Sequence, residues 1–525
     1  MKKTISAILA LALCVLCLTG AASAEGTAQF KPGTYEATVD SVRGPLTVSV
    51  TVSEDRIEAV DIKEINDTKG VRDAVVERYP KAIVENQSIN LDAISGASLS
   101  SAFVKLAVRQ ALSQATDNLD ALQTKVSFQA PAQNDMDVDV VVVGGGLAGL
   151  SAATTVAAKG YSVVLLEQLS YLGGNAIVSG QGAINVRTSG AVGEDIWDEE
   201  LAFLVENGAD LEFTDFVFFG EAYPRLMPAY ETEEDDVVNQ ICIQMRKSFE
   251  EHNGIVLTET PAVGLIIEDG EVKGVVAKPL NQDEFSIHAK ATLLATGGFQ
   301  GNADMIAEYL PFAVGAMRIG PSKGAGEAYA WLEGMNVSSR DLEWPSAMFY
   351  SISPSGDHAV SFVTNFVDDN GDLLSDSTDY NTGSMEVFKA IGNKTCYCLW
   401  SKSDLIPGLL SMEGYLKSGA VKEFPSLSAI LETYDLPHLI DTMTERGYEE
   451  NDTYYVAIAR PGIYGVMGGI EVDDSFRVMT TDGTYIPGVF AAGETIGRTY
   501  GGSVGGASLS GYEAAKAIDS VLSEG

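Results

Sequence analysis

Cysteine is scarce in this chain: five residues in 525. Cys14 and Cys17 fall in the N-terminal apolar run, which leaves Cys242, Cys396 and Cys398. Three such residues build no disulfide framework. No Cys-x-x-Cys-His occurs, so no covalent haem is expected and electrons must arrive on another carrier. Cys396-Tyr397-Cys398 lacks metal-pair spacing and reads as buried thiols. Basic charge is also thin: 34 Lys and Arg stand against 73 Asp and Glu, a formal charge of −39. Such acidity disfavours nucleic acid and anionic membrane surfaces as partners. Past the N-terminus there is no apolar run of about 18 residues, the length a membrane span needs. Internal repeats and long low-complexity stretches are absent too.

What is present is 46% hydrophobic residues and 53 glycines, the composition of a turn-rich globular α/β protein. The length suggests about three units. Lys2 and Lys3, the apolar run Ile5 to Leu18 and Ala22-Ser23-Ala24 read as a secretory signal cleaved after Ala24, so export to an extracytoplasmic site is expected. An uncleaved anchor is the alternative, and a lipid site at Cys14 or Cys17 fits less well. Gly33–Val39 and Leu46–Val52 alternate at period two as half-buried strands, and Val71–Val84 and Ala102–Ala111 read as helices. A polar stretch to residue 135 reads as a linker.

Val138–Val143 is a continuous β-branched strand of the kind buried on both faces of a parallel sheet. It runs into Gly144-Gly145-Gly146-Leu147-Ala148-Gly149. A helix, Leu150–Lys159, follows and Gly160 stops it; a second strand, Ser162–Leu166, ends at Glu167. Glycines between strand and helix, with an acid about twenty residues on, form a dinucleotide fingerprint. Gly144 makes the tight turn, Gly146 admits the pyrophosphate at the helix start, Gly149 allows close packing, and Glu167 accepts ribose hydroxyls.

Further segments choose the cofactor. Gly173-Gly174-Asn175, Ser179-Gly180-Gln181-Gly182, Ala295-Thr296-Gly297-Gly298, Ala491-Ala492-Gly493-Glu494-Thr495 and Gly505-Gly506-Ala507-Ser508 follow in order. Together with the turn they resemble the fumarate reductase/succinate dehydrogenase flavoprotein family, over roughly residues 136 to 525. The resemblance implies non-covalent FAD. Its expected contacts are the turn with Leu147 and Ala148, Glu167-Gln168, Gly174-Asn175, Ser179, Gly180, Gly182, the Ala262-Val263-Gly264 segment, and Ala295 to Gly298. Gly493-Glu494 is placed near the ribityl chain and Ser508-Leu509 near the flavin ring.

Asp92-Ala93-Ile94-Ser95-Gly96-Ala97-Ser98 opens a helix, where Ser98 is by itself a possible cap. It also resembles the flavinylation motif of FMN-binding domains, although threonine is commoner at the last position. That implies FMN joined covalently to Ser98 by a flavin transferase, loaded by a membrane-side electron donor.

The fold class expected is α/β: a Rossmann-like FAD-binding domain with an inserted α+β capping domain, preceded by a small α+β FMN-binding domain. The boundaries read as signal 1–24, FMN-binding domain 25–116, linker 117–135, FAD-binding domain 136–337 and 453–525, and capping domain 338–452.

Where the resembled family holds a dicarboxylate with histidines and arginines, this chain has Trp344-Pro345-Ser346, Tyr380, Tyr464-Gly465-Val466 and Ser503. Trp344 and Ser503 are therefore expected to touch substrate. Without a charged clamp, fumarate is not the expected substrate, and an aromatic-lined pocket suits a ring-bearing or neutral unsaturated molecule. Hydride addition to an activated C=C needs an acid on the opposite carbon. Tyr380, Tyr464 and Tyr500 are the candidates, with ordinary core tyrosine as the alternative for each. Arg460 or Arg498 would anchor one carboxylate or serve a structural ion pair. The four histidines fall outside the family's substrate motifs. The expectation is an extracytoplasmic ene-reductase for an α,β-unsaturated acid or enone. A ketosteroid-dehydrogenase-like oxidoreductase and an electron-carrying flavoprotein are the alternatives.

Overall fold

The computed structural model describes residues 28–41, 44–178, 184–185, 202–203, 206–207, 211–218, 221–228, 237–320, 323–352, 358–360, 365–377, 380–404, 412–497 and 503–524. The expected leader lies outside them, as do Ser179, Gly180, Gly182, Arg498 and Tyr500. The chain forms two compact units, divided after Phe128. Among the described residues no helix is long and apolar enough to cross a membrane.

The first unit holds an antiparallel sheet of β1 (Gly33–Ser41), β2 (Gly44–Val52) and β3 (Ile57–Ile65), in that order. Period-two alternation buries Leu46, Val48, Val50 and Val52 on one face. Helices α1 (Asp73–Asn86) and α2 (Ser98–Leu112) cover it with Val75, Tyr79, Ile83, Val104, Val108 and Leu112. Each such aliphatic side chain contributes about 1.5–3 kcal/mol on burial. Helix α2 starts at Ser98, earlier than the apolar pattern indicates, because its first turn, Ser98-Leu99-Ser100, is polar at two of three positions. Residues 119–128 pack on this unit: the Ile89 N–H donates to the Leu122 carbonyl and the Val126 N–H to that of Asn90, each at 2.9–3.0 Å.

The second unit is built on β4 (Met136–Val143), α3 (Leu147–Ala158), β5 (Val163–Leu166), α4 (Val237–Glu251), β6 (Ile255–Leu257), β7 (Ala262–Glu268), β8 (Glu271–Ala277) and β9 (Phe285–Leu294). Then come α5 (Glu327–Trp331), β10 (Pro345–Ser351), α6 (Tyr380–Ile391), β11 (Cys396–Ser401), β12 (Tyr454–Val466), β13 (Tyr485–Ala491) and α7 (Ser503–Glu524). The main sheet runs β7-β8-β9-β4-β5-β6, with β13 also on β9. Strands β6, β5, β4, β9 and β13 are mutually parallel, and β7 and β8 close one side antiparallel. Helix α3 is buried from Leu147 to Ala157, between the sheet, α4 and α7. Its small side chains permit that: a Cβ on Gly511 of α7 would lie 2.0 Å from the Ala148 carbonyl oxygen.

A second sheet centres on the 13-residue β12, paired antiparallel with β10 and β11. Cys396 and Cys398 are fully buried there beside Phe349 and Trp400, and burial with the neighbouring Cys396 pushes the Cys398 thiol well up. Cys242 is also buried and forms no disulfide.

Candidate functional site

The chain leaves β4 and turns at Gly144, whose φ of +106° is costly for any other residue. A Cβ there would lie 2.2 Å from the Ala295 oxygen, and one on Gly149 would lie 1.9 Å from the Gly144 oxygen. Both glycines are demanded by protein packing. Gly146 is different: a Cβ on it would meet nothing within 4 Å. It is the N-cap of α3, with an ordinary φ of −65° and no side-chain cap bond. The first N–H groups of that helix have no intrahelical partner, and they lie at its positive end. Open space in front of such a helix start fits the pyrophosphate of a dinucleotide.

Glu167, at the end of β5, is 6% exposed. Its Oε2 accepts the Gly145 N–H and its Oε1 the Leu169 N–H, both at 2.8 Å. Burial pushes this carboxyl up to about 7; backbone donors at Leu169, Gly145 and Gln168 oppose the rise and Glu327 adds to it. The Thr260 N–H donates to the Glu167 carbonyl at 2.8 Å, which leads the chain from the acid into Ala262 and Val263 at the start of β7.

A raised carboxyl contributes stability that is complete below its unfolded value near 4.5 and is lost as pH rises through about 7. In flavin-free protein, Glu167→Gln is therefore expected to remove roughly 2–3 kcal/mol of pH-dependent destabilisation between pH 4.5 and 8, less the cost of turning its amide NH2 toward one of the two backbone donors, Gly145 or Leu169. Relative to the parent the variant should be least stable near pH 4.5 and gain as pH rises, and it should bind FAD more weakly. Urea unfolding across pH 4.5–8 checks this, and a gain independent of pH would contradict it.

Three strand ends meet at the carboxyl edge of the sheet, where ligands of open α/β folds bind. The Ala295 N–H donates to the Val143 carbonyl at 2.8 Å and the Ala492 N–H to that of Leu294 at 3.0 Å. The loops that follow β4, β9 and β13 are thereby held together. Thr495 Oγ1 accepts the Gly297 N–H at 3.1 Å, and Glu494 Oε1 accepts the Val466 N–H at 2.8 Å. On the other side, the Gly173 N–H donates to the Gly145 carbonyl at 2.7 Å, which docks Gly173-Gly174 on the turn. Asn175 follows, with Nδ2 3.5 Å from the Tyr464 carbonyl oxygen. So Gly144–Gly149, Glu167, Gly174, Asn175, Ala295–Gly298, Gly493 and Glu494 are brought together. Ser508 is placed otherwise: its hydroxyl is buried against that of Ser151 in α3, at 3.1 Å, and Leu509 is fully buried.

Sequence reasoning missed a group beside these loops. Among the described residues, Gln300, Glu327 and Tyr329 each carry a buried polar atom with no partner, and burial raises the Glu327 and Tyr329 groups. The available signal was a long polar side chain set among glycines, in Phe299-Gln300-Gly301 and Gly326-Glu327-Ala328.

At the substrate end, Trp344 is 42% exposed, with Lys389 Nζ 5.7 Å from its ring, and its carbonyl accepts the Met467 N–H at 2.7 Å. Tyr464 and Arg460 lie on β12 and are half-buried; Arg460 pairs across the sheet with Tyr350 and sets Nη2 3.8 Å from Met317 Sδ. Tyr380 begins α6 and Ser503 begins α7, each described in its backbone alone.

In the first unit Ser98 is the opening residue of α2 and is exposed. The loop that presents it is fixed: the Tyr79 hydroxyl donates to the Asp92 carbonyl at 2.8 Å, and the Ile94 N–H donates to Ser101 Oγ at 3.1 Å. Ser100 Oγ donates to the Asp67 carboxylate. Among the described residues the Ser98 hydroxyl has no partner. An open hydroxyl on a rigid turn at a helix start fits a phosphoester.

Residues 139–219 and 219–510 match a family described as FAD binding domain, and residues 42–113 match FMN-binding domain. The chain is 25% identical to urocanate reductase of Eggerthella lenta, over 89% of this chain and 88% of that protein. It is 26% identical to NADH:acrylate oxidoreductase of Vibrio harveyi, over 92% of this chain and only 60% of that longer protein. Among solved structures it superposes on a flavocytochrome c3 fumarate reductase with TM-score 0.56 at 20% identity, covering 73% of this chain and 79% of that one. With a 3-ketosteroid-delta4-(5alpha)-dehydrogenase from Rhodococcus jostii the TM-score is 0.57 at 17% identity, covering 74% and 98%. At these identities the superpositions speak for a shared α/β fold alone.

Proposed function

This chain belongs to the FAD binding domain family and carries an FMN-binding domain ahead of it, and from that premise we propose that it is an exported reductase of activated C=C bonds. It is a flavin-dependent oxidoreductase. The observation that carries the reading is the cradle at Gly146, open in front of a helix start, with Glu167 on the adjacent Gly145 N–H and the loops after β4, β9 and β13 held together at the same sheet edge. When bound, FMN on Ser98 supplies one-electron exchange and FAD supplies a hydride to the β-carbon of an α,β-unsaturated acid or enone.

The protein's own residues do the rest. Gly146 and the start of α3 hold the pyrophosphate, and Glu167 takes the adenosine ribose. Glu494 faces the polyol chain. Trp344 and Tyr464 line an aromatic wall for a ring-bearing substrate, and Arg460 anchors one carboxylate. Tyr464 places its phenolic proton on the α-carbon, so that hydride and proton together saturate the double bond. Among the described residues its backbone carbonyl lies 3.5 Å from Asn175 Nδ2, which sets this stretch of β12 beside the Gly173-Gly174 loop. The signal at residues 1–24, the transferase that loads Ser98 and a membrane-side donor belong to the same proposal.

Tyr464→Phe is expected to lower kcat about a hundredfold, the usual worth of a positioned proton donor, with KM little changed. The assay is anaerobic reduction by a viologen dye of ring-bearing enoates against fumarate. Higher kcat/KM on fumarate than on any ring-bearing enoate would overturn the substrate assignment. An unchanged kcat would remove Tyr464 from the mechanism.

A further inference from the structure

Gln300 is 5% exposed, yet among the described residues neither Nε2 nor Oε1 of its amide has a partner. A buried amide left without hydrogen bonds is costly, so such a group marks a place where something else binds. Its setting shows what. The side chain lies between two glycines: a Cβ on Gly298 would be 2.9 Å from Gln300 Oε1, and one on Gly324 would be 2.6 Å from it. Gly324 also has a φ of +51°, so no side chain is easily placed there. The same Cβ position on Gly298 lies 2.5 Å from Glu494 Oε1. The Gln300 amide and the Glu494 carboxylate therefore flank one glycine of the loop that follows β9.

Their chemistry selects the ligand atoms. The amide offers two donors and an acceptor, and the carboxylate offers acceptors only. A phosphate next to Glu494 would be repelled and has no proton to give to Gln300 Oε1. A hydroxyl both gives and takes. We propose that Gln300 is a positioning residue for FAD, its amide bonded to a polyol hydroxyl of the cofactor beside Glu494. The amide pairs with cofactor and with none of the described residues. This rests on the cradle at Gly146 being the FAD site, which substitution at Gly146 tests separately.

The two roles a buried glutamine can have predict opposite outcomes for Gln300→Met, which keeps length and removes the polar atoms. Protein stripped of FAD is titrated with FAD by fluorescence quenching, and the melting of the stripped form is measured. The expected result is a Kd for FAD raised about tenfold to a hundredfold, the worth of losing one or two buried hydrogen bonds. The Tm of the stripped protein should be equal or higher, because an unpaired amide has gone. Gln300→Glu, which loses the donors and adds a second carboxylate beside Glu494, should weaken FAD at least as much. An unchanged Kd in either variant would overturn the proposal. So would a Gln300→Met protein that melts lower or fails to fold, since the amide would then be bonding protein.

Discussion

Ser98→Ala is expected to abolish FMN attachment completely, leaving the mature chain at its unmodified mass. The two serines that follow it in α2 offer no substitute. Ser100 Oγ is committed to Asp67 and Ser101 Oγ to the Ile94 N–H, while Ser98 alone of the three stands exposed at the start of α2. Delivery from a one-electron donor should fall to background. A reduced dye that reaches FAD directly should still drive the variant, because the second unit is untouched. Ser98→Thr keeps the hydroxyl and should keep the FMN. Intact-mass spectrometry of protein matured with its transferase reads the result, and an alanine variant that retained the added mass would refute the assignment.

The second large effect separates two glycines of one turn. Gly146→Val should leave the fold intact, since its Cβ enters space empty to 4 Å, but it should fill the pyrophosphate position and abolish FAD binding. Without FAD the variant should reduce nothing. Gly149→Val should instead prevent folding, because its Cβ would sit 1.9 Å from the Gly144 oxygen; overpacking of this kind costs about 3 kcal/mol or more. Circular dichroism and FAD titration distinguish the two. A Gly146→Val protein that bound FAD as tightly as the parent would mean that the cradle lies elsewhere.

The strand–turn–helix and its acid were legible because all their determinants are local. A β-branched run, three glycines and a carboxylate fall within thirty residues, and the structure forms the strand, the tight turn at Gly144 and the close packing at Gly149, with Glu167 just after β5. The start of α3 was less legible. The sequence reads as a helix from Leu150, whereas it begins at Leu147, because Ala148 and Gly149 are held helical by packing against the sheet and α7. Long β12 reaches across to β10 and β11, a non-local pairing that alternation alone does not announce. Ser508 was expected at the flavin ring, and its hydroxyl faces Ser151, 357 positions earlier in the chain. Gln300 was invisible for the same reason. Its meaning lies in what fails to reach it, and that is known only once Gly298, Gly324 and Glu494 are set around it. The fold and both flavins could be read from patterns in the chain. The groups proposed to touch substrate, Trp344, Tyr464 and Arg460, have chemistry that a sequence suggests without locating.

The central claim is that FAD held in this cradle reduces an activated double bond. The measurement that tests it most directly is anaerobic stopped-flow mixing of the dye-reduced, fully flavinylated protein with α,β-unsaturated acids and enones, followed at the flavin absorbance. Rapid return of oxidised FAD with a ring-bearing enoate or enone, matched by one saturated product per FAD, is the result expected. Reduced FAD that persists with every compound of the panel, or that is reoxidised only by another electron carrier, would contradict the claim.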